Sequence, residues 1–158
     1  MTRTAGNAEL PAGAVESCSL TQTVEMVGER WKFLILREAL GGATRFSEFR
    51  DVLGIASDVL SNRLAALVES RILERREYRE TGQRARFSYH LTAAGRELAL
   101  AVAALQQWGD RYRPSDQPAL RFFSPDGTPL TVRFVDERGD LVAPSDVRID
   151  NGRSGEPK

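Results

Sequence analysis

Two groups of side chains have the types and spacing to do chemistry. In the first, Leu60, Leu64 and Leu67 recur at helical intervals and share one face of a helix read over Ser57–Ser70, with Ser57 as its cap. The opposite face carries Asp58, Ser61, Asn62, Ala65 and Ala66. Small and amide side chains there suit close approach to base edges in a major groove, and Asn62 can pair with adenine in the bidentate manner. Arg63 lies on the flank, where it would meet a phosphate more naturally than a base. An amphipathic helix with a solvated outer face would show the same pattern.

The second group tips that balance. Arg75, Arg76, Arg79, Arg84 and Arg86 put five guanidinium groups on one short stretch, with Gly82 freeing the turn between them. A ribbon that tracks a nucleic-acid backbone or enters a minor groove needs this arrangement. Glu74, Glu77 and Glu80 interrupt the run, so a ribbon laced with surface salt bridges is the alternative. Directly after a candidate recognition helix, the patch is better explained by double-stranded DNA.

A third candidate is a single residue. Cys18 stands immediately before the first apolar periodicity, where the N–H groups of a helix start lower a thiol pKa and favour thiolate. Such a thiol can report oxidants or electrophiles by alkylation, by sulfenic acid, or by a disulfide to its twin in a dimer. A small residue at a helix start with no signalling role is the other reading.

The elements that must position these groups follow from periodicity. Leu20, Val24 and Val27 mark a first helix that Gly28 interrupts. Trp31, Leu34, Ile35 and Ala39 mark the inner face of a second, stopped by Gly41-Gly42. Thr44 is the expected cap of a short third helix with Phe46, Phe49 and Leu53 inside, ended by Gly54. After the Ser57–Ser70 helix, Glu74–Glu80 and Arg86–Thr92 alternate like strands around a five-residue loop and predict a β-hairpin. Thr92 is expected to cap a long helix whose Leu98, Val102, Leu105, Trp108 and Tyr112 run along one side, up to Pro114. That stripe exceeds what so small a core should cover, which points to a homodimer. Beyond Pro114 lie five of the seven prolines, a Pro125-Asp126-Gly127 turn, and a strand read over Leu130–Val135 that Glu137–Asp140 could turn back onto Leu141-Val142.

Composition sets the outer limits. A chain of 158 residues is about one domain and buries one real core. Lys+Arg and Asp+Glu both number 22, which excludes a partner bound by bulk charge alone. The basic excess is local: residues 20–113 carry net +3 and the flanks net −3. One cysteine excludes an internal disulfide, and with the single His90 it leaves too few ligands for a one-chain zinc site. No cofactor is expected, and no P-loop, GxGxxG or Ser-His-Asp set points to an enzyme. The N-terminus has no apolar h-region and no stretch approaches a membrane span. A cytoplasmic protein acting at the nucleoid is therefore expected, with no membrane partner.

Two short helices around a glycine-marked turn, followed at once by a hairpin, is the order of a winged helix-turn-helix. Cys18 to Tyr112 resembles the HxlR family of bacterial MarR-like transcription regulators. The resemblance is carried by Cys18, Glu29-Arg-Trp-Lys-Phe-Leu-Ile-Leu-Arg37, Arg45-Phe-Ser-Glu-Phe49, Leu60-Ser-Asn-Arg-Leu64, Leu73-Glu-Arg-Arg76, and Ser88-Tyr-His-Leu-Thr92 with Gly95 and Trp108. Two places depart from the pattern: Glu29 stands where a glycine is usual, and the loop Thr81–Ala85 has no proline.

The resemblance implies a mainly α fold with a β-wing (α+β); the segment beyond Pro114 lies outside the core family pattern and reads from its own residues as a small β-rich C-terminal appendage. It implies a homodimer joined through the N- and C-terminal helices (Leu20, Val24, Leu98, Val102, Leu105, Trp108, Tyr112) and bound to a pseudo-palindromic operator; the expected role is that of a local repressor, or of a repressor and activator. Ser57–Ser70 would be the recognition helix and Glu74–Thr92 the wing, with Arg45 joining the wing arginines on the DNA backbone. Cys18 matches the N-terminal cysteine that many such regulators use as a redox switch. The expected division is a flexible arm over 1–17, the DNA-binding and dimerisation domain over 18–113, the appendage over 114–150 and a disordered tail over 151–158. Two alternatives stay open: a regulator whose effector is a small ligand held between the dimer helices, and a winged-helix module that binds protein.

Overall fold

Leucines and isoleucines at helical intervals build the first part of the chain, and the expected order of elements is the observed one. The computed structural model describes residues 18–82, 84–116 and 120–150. The arm over 1–17 and the tail over 151–158 lie outside the described residues. Two units are present, one running to Ala99 and the other starting at Leu100.

In the first unit, α1 (Ser19–Val27) leads through Gly28 into α2 (Arg30–Leu40), followed by α3 (Phe46–Leu53) and α4 (Ser57–Glu69). Helix α2 is central and touches α1, α3, α4 and the hairpin. Surrounded in this way, it buries Ile35, Leu36 and Ala39, while Trp31 and Leu34 stay half-buried. Leu36 is the residue that a one-face reading of α2 leaves out. Phe49, Leu60, Leu64, Leu67 and Leu73 complete a fully buried core. Each such side chain contributes about 1.5–3 kcal/mol relative to exposure.

The helix starts differ from expectation by one residue. Arg45, not Thr44, occupies the cap position of α3, and Ala56, not Ser57, that of α4. At α3 the capping carboxylate comes from within the helix: Glu48 Oε2 accepts the amides of Thr44 at 2.8 Å and Arg45 at 2.9 Å. Those two N–H groups, Arg45 first, hold the Glu48 carboxyl below its usual value. Gly54 ends α3 in the left-handed region at φ 59°, which turns the chain sharply into α4.

The hairpin consists of β1 (Leu73–Tyr78) and β2 (Arg86–Leu91), antiparallel, with Leu73 opposite Leu91 and Tyr78 opposite Arg86. The connection is longer than the five residues expected, because Arg79 and Glu80 have already left the ladder. A short extended segment borders β2 on its other side: Tyr89 N donates to Thr44 O at 2.7 Å, and Arg45 bridges Ser88. The helix-turn-helix is thereby attached to the wing through backbone hydrogen bonds.

Thr92 caps a helix as expected, its hydroxyl accepting from Gly95 N at 3.0 Å, but the helix is α5 (Ala93–Glu97) and not a long one. Its hydroxyl also donates to Arg71 O at 2.6 Å, so one side chain ties the base of the wing to the helix that follows. A Cβ on Gly95 would fall 2.2 Å from Ile72 O, and only glycine lets α5 approach so closely. Leu98 interrupts the helical run before α6 (Ala99–Tyr112).

In the second unit, Gln107 of α6 pairs with the main chain of Val132: Nε2 donates to Val132 O at 3.0 Å, and Val132 N donates to Oε1 at 2.6 Å. Drawn onto Gln107, the 130–133 segment does not extend the strand read over Leu130–Val135. Among the described residues of this unit the one ladder joins β3 (Phe134–Val135) and β4 (Leu141–Val142), beside an isolated bridge between Phe123 and Pro129. Asp136 organises the turn between them by accepting the amides of Arg138 and Asp140.

Candidate nucleic-acid interface

Because Leu60, Leu64 and Leu67 are withdrawn completely into the core, the rotation of α4 is determined. Ser57, Asp58, Ser61, Asn62 and Ala65 are all exposed on its outer face. The Asn62 side chain makes no hydrogen bond among the described residues, which leaves its amide donors and acceptor available. Ala65 supplies the low relief that close approach to base edges needs.

Arg63 is differently placed. Its Nε lies 3.0 Å from Glu29 Oε2, while Lys32 Nζ stands 3.7 Å from the same oxygen. The Arg63 Nε–H direction misses the carboxylate, so this is an ionic contact with no hydrogen bond at that buried atom. The start of α2 is thus joined electrostatically to the middle of α4. Glu29, which departs from the glycine usual in the pattern, is the residue that makes the joint.

The wing arginines divide into two sets. Arg75 lies over the Phe87 ring at 4.1 Å, and Arg76 is held by Glu74 through two hydrogen bonds. Arg45 stacks on Tyr78 at 5.2 Å and pairs with Glu80 at 3.1 Å. Arg79, Arg84 and Arg86 are exposed and have no ion pair among the described residues. The three free cations therefore cluster at the outer end of the hairpin, where Gly82 takes φ 78°. His90 bonds Ser88 Oγ at 2.9 Å, and that hydroxyl also donates to Arg76 O. These contacts give His90 a place within the hairpin. Among the described residues no group of His, Cys, Asp and Glu is placed to hold a metal ion.

Cys18 is exposed at the mouth of α1. The Thr21 amide, and then that of Leu20, hold its thiol below the ordinary value. Leu20 and Val24 of α1 are exposed, as are Leu100, Leu105, Trp108 and Tyr112 of α6. Leu98 is half-buried. Val102, placed in the same stripe by its spacing, is already buried within the one chain, as is Ala103. The exposed part of the stripe therefore begins at Leu105, with Trp108 and Tyr112 tilted against each other at 5.3 Å.

A helix-turn-helix whose second helix turns a polar face outward, backed at once by a basic hairpin, defines a winged-helix DNA-binding transcriptional regulator. The chain belongs to the HxlR-like helix-turn-helix family, which matches residues 26–117. It is 42% identical over 118 residues to the uncharacterized HTH-type transcriptional regulator Rv3095 of Mycobacterium tuberculosis, covering 75% of this chain and 68% of that one. Among solved structures it is similar to PA1607, assigned as a transcription factor, with a TM-score of 0.71 and 33% identity over 85% of this chain and 95% of that chain. It is also similar to the redox regulator HypR in its reduced form, with a TM-score of 0.55 and 28% identity over 61% of this chain and 94% of that chain. The oxidized form of HypR gives the same TM-score at 29% identity, covering 61% and 98%. Family and relatives alike make this chain a transcriptional regulator, not an enzyme. No helix among the described residues is long and apolar enough to cross a membrane.

Proposed function

We propose that the chain acts as a homodimeric repressor at a pseudo-palindromic operator, with α4 of each protomer in a major groove and the wing on the flanking backbone. The observation that carries this is the exposed Asn62 side chain on the outer face of α4, in one unit with Arg79, Arg84 and Arg86, none of these four side chains having a hydrogen-bond or ion-pair partner among the described residues. Asn62 and Ser61 read base edges. The arginines and Arg45 neutralise phosphates, releasing counterions and making affinity fall with salt. Self-association is supported by the exposed apolar residues of α1 and α6, which a single chain leaves in water. Two half-sites also add their free energies where one module contacts few phosphates. Residues 18–113 form the DNA-binding and dimerisation module on this reading, and 114–150 the appendage.

Cys18 is the proposed sensor of this regulator, supported by its exposure, its lowered thiol and the likeness to HypR. A peroxide would oxidise the thiolate to sulfenic acid, and the partner's Cys18 thiol would condense with it to a disulfide, releasing water. The test is anisotropy binding to the DNA upstream of its own gene, against random DNA, with and without a thiol oxidant. Specific binding that is lost on oxidation, restored by reductant and insensitive in Cys18→Ser is expected. Specific binding indifferent to oxidant replaces the thiol switch with a small ligand as effector. Absence of salt-dependent DNA binding overturns the reading in favour of a protein-binding module.

A further inference from the structure

Asp58 stands in the first turn of α4, one helical turn before Asn62, and is exposed on the same outer face. Its side chain has no hydrogen-bond or ion-pair partner among the described residues. The positions three and four away are Gly54, Ile55, Ser61 and Asn62, none of them a cation. Arg63, the basic residue of α4, lies on the flank and faces Glu29. The face that turns toward a groove thus carries a carboxylate and no positive charge. A helix dipole favours an acid in the first turn, which accounts for its stability there but not for its place on this face. Glu69 shares the face at the far end, but a recognition helix meets base edges with its N-terminal residues, those around Asp58. A carboxylate laid in a major groove needs a donor. Guanine presents two acceptors there, thymine an acceptor and a methyl group, and adenine an amine beside the N7 acceptor. Cytosine alone presents an amine with no acceptor of its own at its side. Facing an acceptor, the carboxylate loses its water and gains no partner, so the wrong base is penalised more than the right one is rewarded.

We propose that Asp58 is a specificity-determining residue, which accepts from the N4 amine of one cytosine in each half-site and rejects guanine and thymine at that position. The inference rests on the reading of α4 as the recognition helix. Asn62 lies four residues further along, about 6 Å of helix rise. Base pairs follow one another at about 3.4 Å, so the cytosine falls about two base pairs from the adenine that Asn62 reads. The wing arginines attract any duplex, and Asp58 takes part of that attraction away from the wrong sequences.

The test uses the full chain and a library of randomised duplexes, sequenced after successive rounds of binding. The wild type is expected to enrich a motif in which cytosine stands about two base pairs from adenine. Asp58→Asn should change that cytosine to adenine, since an amide pairs with adenine in the bidentate manner, and should leave every other position as it was. In Asp58→Ala the preference for cytosine, about tenfold in the wild type, should fall to near parity while binding to random duplex does not weaken. Asp58 is exposed, so both variants are expected to fold, and urea unfolding checks that they do. Loss of a helix-dipole contact alone would lower stability and leave the motif unchanged. A wild-type motif retained by both variants therefore overturns the role of Asp58 and leaves the recognition helix intact. A motif lost at every position in a folded variant overturns it too. A wild type that enriches no motif overturns the DNA-binding reading, and this inference with it.

Discussion

Replacing Glu29 by Gln removes the charge that Arg63 faces and leaves the shape almost unchanged. If Arg63 meets a DNA phosphate, it must first give up Glu29, and the strength of that contact is what the substitution returns to DNA binding. Two unit charges 3.0 Å apart attract by about 1.4 kcal/mol in a water-like dielectric. The two side chains are 33% and 48% exposed, so screening and side-chain entropy reduce the net contribution to about 0.2–1 kcal/mol. Affinity should then rise by about 1.4- to 5-fold for each half-site, and a dimer that engages both would show the product. The assay is a double-mutant cycle of Glu29→Gln, Arg63→Ala and the pair, read by anisotropy on specific and random DNA over a range of salt. Removing any carboxylate near DNA raises affinity somewhat, and the cycle separates that general effect from the specific one. The gain from Glu29→Gln should shrink when Arg63 is absent, and Arg63→Ala should lower the salt slope by about one per phosphate lost. An equal gain in both backgrounds would refute the idea that Glu29 competes with DNA for Arg63.

Three further outcomes are expected. Asn62→Ala should relax sequence preference by about 1–3 kcal/mol at one base pair, and equal losses on specific and random DNA would remove its base-reading role. Gly95→Ala places a methyl 2.2 Å from Ile72 O and should destabilise the fold by about 1–3 kcal/mol in urea unfolding, with no gain from the added helix propensity. Glu48 has its folded pKa below the unfolded value of 4.5, so its stabilisation is complete above that value and is lost as pH falls through the lower folded one. Glu48→Gln should be less stable than the wild type at neutral pH, and that gap should narrow on acidification; a constant gap would argue against the capping role.

The helices of the first unit and the wing were readable from the chain because their signals are local. Leu60, Leu64 and Leu67 determine the rotation of α4, and that rotation alone exposes Asn62 and its neighbours. Alternation around Gly82 likewise announces the hairpin. Positions within a residue or two of an element's end were less readable. At α3 the amides find their acceptor in Glu48, and the cap preference of Thr44 has nothing left to satisfy. The long helix after Thr92 failed for a similar reason, since apolar spacing continues through Leu98 while the backbone does not.

What pairs across the chain depends on folding. Glu29 and Arg63 are 34 positions apart, and nothing in their separate neighbourhoods marks them as partners. The same holds for Gln107 and Val132, whose two hydrogen bonds displace a strand that β-propensity favours. Five arginines in one run predict a basic wing, but which of them are free is decided by where Glu74 and the Phe87 ring lie once the ladder is in register. The spacing of residues determines which face of a helix or strand is apolar, because backbone geometry repeats. Which charges cancel and which amide finds an acceptor depend on distances between segments, and those exist only after the apolar faces have packed.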